Sequence, residues 1–134
     1  MTSAPAAPAP RPRRRFRLWL LLLALVVVPA LLVTLYIGSI FAFSYSEGER
    51  AGILQKFSRK GWVCKTYEGE LAMSIVPGVT PTIWAFSVRD ERVVPRLNAA
   101  LGRRVTLHYR EHKGVPTDCF GQTDYFVDSV TVLE

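Results

Sequence analysis

Few residues in the chain have types that do chemistry, and their spacing narrows what that chemistry is. Cys64 and Cys119 are the only two cysteines and lie 55 positions apart. In an oxidising compartment such a pair suits a disulfide, and closing so long a loop stabilises a domain by roughly a few kcal/mol in the chain-entropy account. Two separate free thiols are the alternative. His108 and His112, together with the cysteines, suggest zinc. On a strand, however, residues four apart are separated by roughly 13 Å, so both can bind one metal only if the strand ends between them. Surface histidines are the expectation. Glu68 and Glu70 share one strand face, as an acid–base pair does, but no nucleophile or histidine stands at a recognisable spacing from them. They are expected to face solvent or to pair with Lys65. The Ser, His and Asp residues form no hydrolase motif. The sequence therefore assigns no catalytic, cofactor-binding or metal residue, and the expectation is a protein that is not an enzyme.

The elements that would position these residues change character along the chain. Positions 1–17 begin with MTSAPAAPAP, a low-complexity segment with too little apolar bulk to bury, and are expected to form a disordered tail. Positions 18–43 read LWLLLLALVVVPALLVTLYIGSIFAF, with no charge between Arg17 and Glu47. Seventeen of these 26 residues are Leu, Val, Ile or Phe, each favouring the bilayer centre by about 0.3–0.6 kcal/mol. As a helix the run is roughly 39 Å long, against about 30 Å of hydrocarbon. It is expected to be a single transmembrane helix that tolerates Pro29, with Trp19 and Tyr45 at its two interfaces. Arg11, Arg13, Arg14, Arg15 and Arg17 precede it and, by the positive-inside rule, hold the N-terminus in the cytoplasm. Ala42-Phe43-Ser44 offers a weak signal-peptidase site, but the apolar run is too long for a cleaved signal peptide. Arg13-Arg14-Arg15-Phe16 has part of a twin-arginine pattern, and so apolar a core argues instead for ordinary insertion.

Positions 44–134 form the extracytoplasmic domain. Short alternating segments separated by turn residues predict strands. The first lies near 50–59, where Ser46 and Glu49 also offer a helix capping box that Gly48 and Gly52 weaken. The second is VCKTYEGELAM at 63–73, with a bulge expected at Gly69. In the third, Trp84, Phe86 and Val88 alternate with Ala85, Ser87 and Arg89, and Trp84 is expected in the core. A short helix follows Asp90, with Val93, Val94, Leu97 and Leu101 on one face, Pro95 in its first turn and Gly102 as its stop. Val105, Leu107 and Tyr109 mark the fourth strand and positions 125–133 the fifth. Three strands, a helix and two strands is the order of a five-stranded OB-fold barrel.

The net charge of +6 is located in the tail. From Ser44 onward 12 Lys and Arg face 11 Asp and Glu, so the domain lacks the basic excess that nucleic-acid binding needs.

The stretches YSEGERAGILQKFSRKGWVCKTYEGELAM, WAFSVRD and GRRVTLHYREH resemble a family of small uncharacterised bacterial membrane-anchored proteins, some of which carry the label 6-phosphogluconate dehydrogenase. The resemblance implies a bacterial inner-membrane protein with its domain in the periplasm, and it carries no catalytic residue across. The dehydrogenase label fails physically: there is no G-x-G-x-x-G turn, and 91 residues cannot hold both a dinucleotide and a substrate domain. The reading is a non-catalytic, membrane-anchored module that binds a protein or envelope ligand. An enzyme acting on an envelope substrate and an oligonucleotide-binding OB domain are the alternatives.

Overall fold

The computed structural model describes residues 4, 5, 7, 8, 13–73 and 76–133. They divide into a first unit that ends at Tyr36 and a second that starts at Ile37.

The first unit is built from helix α1, Arg13–Ala42, whose last residues belong to the second unit. None of its residues is buried. It is long and apolar enough to cross a membrane. Its start differs from the expected span: Arg13, Arg14, Arg15 and Arg17 lie on its first turns rather than in a tail. Arginine is a good helix former, so backbone winding continues past the point where the apolar run ends. Arg11, the fifth topology residue, lies outside the described residues. Pro29 is accommodated inside the helix, and Thr34 Oγ1 donates to the Ala30 carbonyl at 2.8 Å.

The second unit contains β1 (Ser46–Lys60), β2 (Thr66–Ala72), β3 (Ile83–Val88), α2 (Val94–Ala99), β4 (Arg104–Glu111) and β5 (Tyr125–Val132). The capping box at Ser46 is not used: β1 runs through it as 15 residues of strand. Its first half pairs antiparallel with β4 and its second half with β2. β2 continues to β3, β3 touches β5 in parallel at Ser87 and Phe126, and β5 returns to β4. The five strands thus form one sheet that closes on itself in the order β1-β2-β3-β5-β4.

One strand can serve two neighbours because its pairing slips between Leu54 and Lys56, where an extra residue bends the backbone. The bulge expected at Gly69 is therefore in β1 instead, with a second register shift opposite His108 and Tyr109 in β5. Gly69 pairs regularly with Phe57 and Phe86. Its lack of a side chain serves packing, since a Cβ there would overlap the Phe86 ring.

Alternation along the strands sends Leu54, Leu71, Trp84, Phe86, Val88, Val105, Leu107 and Val127 inward. α2 adds Leu97, flanked by Val93 and Ala100. Leu101, expected on the same face, is instead exposed, because the chain leaves the helix at Ala99 and turns at Gly102 with φ +76°. The turn is tied to the bend of β1 by Gly102 N–H donating to the Leu54 carbonyl at 2.8 Å.

Candidate functional site

The parity that sends Tyr67, Gly69 and Leu71 inward places Thr66, Glu68 and Glu70 on the outer face of β2, beside Ser87 of β3. Glu70 behaves as a surface residue, 3.7 Å from Lys56 Nζ. Glu68 does not. It is 6% exposed because the segment between β4 and β5 folds over it. Glu68 Oε1 accepts from Thr66 Oγ1 at 2.7 Å and from Gln122 N–H at 3.0 Å, while Oε2 accepts from Ser87 Oγ at 2.7 Å. Ser87, with no exposed surface, accepts from Thr123 N–H at 3.1 Å. Its oxygen also lies 2.8 Å from Thr123 Oγ1, which bonds the Tyr125 carbonyl at 3.0 Å.

Expectations for Glu68 are thus corrected: it neither faces solvent nor pairs with Lys65. A buried carboxylate needs hydrogen-bond donors to replace its water shell, and the covering segment supplies one of them from its backbone. Gly121 permits the approach, since a Cβ at that position would press on Ser87 and Phe126.

The same segment is held covalently. Cys64, just before β2, forms a disulfide with Cys119, with Cα atoms 4.9 Å apart. Between the segment and the outer faces of β1, β2 and β3 lies a cleft of about 150 Å³ lined by Lys56, Ser58, Lys60, Glu68, Gln122 and Thr123, among others. A second cleft of about 220 Å³ lies beside it at Lys65, Tyr67, Arg89 and Phe120.

The two histidines have separate surroundings. His108 Nδ1 meets Asp128 Oδ1 at 2.6 Å on the outward face, and Arg110 Nε reaches Asp128 at 3.4 Å. His112 lies just past the end of β4 and is buried. Its Nδ1 faces the carbonyls of Ile40, in the last turn of α1, and Phe43, just past it, at 2.9 and 3.2 Å. Phe41 packs on His112, Phe120 and Phe126, and the Arg89 guanidinium lies 3.7 Å over its ring. No cluster of three His, Cys, Asp or Glu residues suited to a metal occurs among the described residues.

Trp84 sits in the core as expected, beneath the Arg50 guanidinium at 4.9 Å. Tyr109 and Tyr125 complete the box around that cation. At the surface, Arg92 holds the Asp90 carboxyl below its ordinary pKa through side-chain and then backbone hydrogen bonds.

Ser87, Gln122 and Thr123 carried no sequence signal as site residues. Ser87 is one polar position on an alternating strand, and Gln122 and Thr123 lie in a stretch without periodicity.

A family model described as Domain of unknown function (DUF8785) matches residues 43–132. The chain belongs to this family. The DUF8785 match starts at Phe43, at the end of α1, and runs through β5, so the cleft, the Glu68 network and the disulfide all lie inside the family's own domain. Neither a curated protein nor a solved structure matches the chain.

Proposed function

We propose that this DUF8785 protein is a membrane-anchored binding module. In this reading α1 spans the inner membrane of a bacterium with its arginines in the cytoplasm. Residues 44–134 form an OB-type barrel on the periplasmic side, which binds a protein or envelope ligand across β1, β2 and β3. The strand order, with a parallel contact between β3 and β5 and a helix between β3 and β4, supports the OB reading. Such barrels bind on this face, between the β1–β2 and β4–β5 loops.

The observation that carries the reading is the immobilised β4–β5 segment. A buried carboxylate with three donors and a disulfide hold it over the sheet, giving a preformed cleft of the kind that lowers the ordering cost of binding. Glu68 and the two hydroxyls that contact it, Thr66 and Ser87, are buried and committed to one network with the segment. This favours binding over catalysis.

Photocrosslinking in intact cells tests the proposal. A crosslinker at Ser58, in the cleft, should yield a discrete adduct that one at Thr131, on the opposite outer face, does not. Equal adducts from both positions, or recovery of the protein alone from both, would reject it.

A further inference from the structure

The hairpin between β1 and β2 ends in two apolar side chains with nothing against them. Trp62 is 100% exposed and Val63 96%, and Arg59, Lys60 and Lys65 flank them with no acidic residue between Arg50 and Tyr67. A tryptophan wholly in water at the tip of a basic hairpin is costly unless something covers it.

Covalent and packing contacts connect this tip to the end of α1. Tyr45 N–H donates to the Glu111 carbonyl at 2.8 Å. The disulfide to Cys119, followed by Phe120 against Phe41, links the hairpin to the last turn of α1 by direct contact. Only residues 43–45 separate Ala42 from Ser46, a reach of at most roughly 14 Å.

We propose that Trp62 and Val63 insert into the interfacial region of the bilayer that α1 crosses, while Arg59, Lys60 and Lys65 lie against anionic lipid head groups. The hairpin is then a second membrane contact. Tryptophan prefers the head-group level, and a basic cluster beside apolar anchors is the pattern of interfacial binding. The inference rests on α1 spanning the bilayer and holds for either orientation.

The full chain reconstituted into vesicles of phosphatidylcholine and phosphatidylglycerol with brominated acyl chains provides the test. Trp19→Phe removes the helix signal, and the difference between W19F and W19F/W62F isolates Trp62. Trp62 should emit at shorter wavelength than in water and lose intensity to the bromines. Val79→Trp, placed in the β2–β3 loop at the other end of β2 on the W19F/W62F background, should be unaffected. Replacing Arg59, Lys60 and Lys65 with Gln should weaken the quenching of Trp62 in phosphatidylglycerol vesicles. Water-like, unquenched Trp62 emission from protein that resists carbonate extraction overturns the hairpin contact and leaves the anchor standing. Release of the protein by carbonate overturns both. Equal quenching at positions 62 and 79 also overturns the proposal.

Discussion

Glu68 offers the sharpest test of how the covering segment is held. In Glu68→Ala the Thr66 and Ser87 hydroxyls and the Gln122 N–H all lose their acceptor. Each hydrogen bond to a charged group contributes about 1.5–3 kcal/mol, and each buried donor left unmet costs about 1–3. The two hydroxyls can rotate toward other acceptors, so the expected loss is roughly 3–5 kcal/mol, below the full sum. At about 4–8 °C per kcal/mol for a domain of this size, that is a large fall in Tm. Glu68→Gln behaves differently. Its carbonyl still accepts from Thr66 and Gln122, and its amide donates to Ser87, which turns its own hydrogen toward Thr123 Oγ1 and onward to the Tyr125 carbonyl. Every group keeps a partner, so the cost is about 1 kcal/mol, the loss of charge assistance. Urea unfolding of the full chain in detergent measures both values. Amide exchange at Gln122 and Thr123 should accelerate in Glu68→Ala and change little in Glu68→Gln. An alanine variant within about 0.5 kcal/mol of the parent, or a glutamine variant as unstable as alanine, would refute the reasoning.

Other substitutions report on other parts of the fold. Replacing Cys64 and Cys119 together with Ser opens a 55-residue separation, worth up to about 4 kcal/mol in the chain-entropy relation. The unfolding midpoint should fall, and thiol labelling of the parent should require reductant. Gly69→Ala forces a Cβ against the buried Phe86 ring and should destabilise by about 1–3 kcal/mol, read by urea unfolding. Gly38→Ala, with nothing within 4 Å, should leave that midpoint unchanged. Arg92→Ala removes the side-chain donors that do most to hold Asp90 below its ordinary pKa of 3.8 and leaves the backbone N–H, so an NMR titration of the Asp90 carboxyl should move upward. Because the folded value is depressed, this ion pair favours the folded chain above the unfolded pKa. The contribution fades as pH falls through the folded one.

Much of the architecture was legible because it depends on local patterns. The apolar run of α1 needs no partner to be recognised, and alternation in Trp84, Phe86 and Val88 or Val105, Leu107 and Tyr109 specifies which side chains face inward wherever one sheet face is buried. Five strands and one short helix follow from those patterns. Their ends were less legible: β1 extends through Ser46 because β4 supplies a ladder there, and α1 extends back to Arg13 because helix propensity outlasts hydrophobicity.

The site was hidden for a related reason. Alternation assigns Glu68 to the outer face, and an outer face exposes its carboxylates only if nothing lies on top. Whether something does is decided by residues more than 50 positions away, in a segment with no period of its own. Ser87, Gln122 and Thr123 gain their meaning only when the β4–β5 segment is laid across β2 and β3. His112, expected at the surface, is likewise buried and meets the carbonyls of Ile40 and Phe43. By itself the sequence determined an apolar helix followed by a small strand-rich domain with a near-neutral charge, because those properties are sums over local composition and period. The cleft, the buried carboxylate and the disulfide that ties the hairpin to the β4–β5 segment were decided by tertiary structure, because each depends on long-range closure of the sheet.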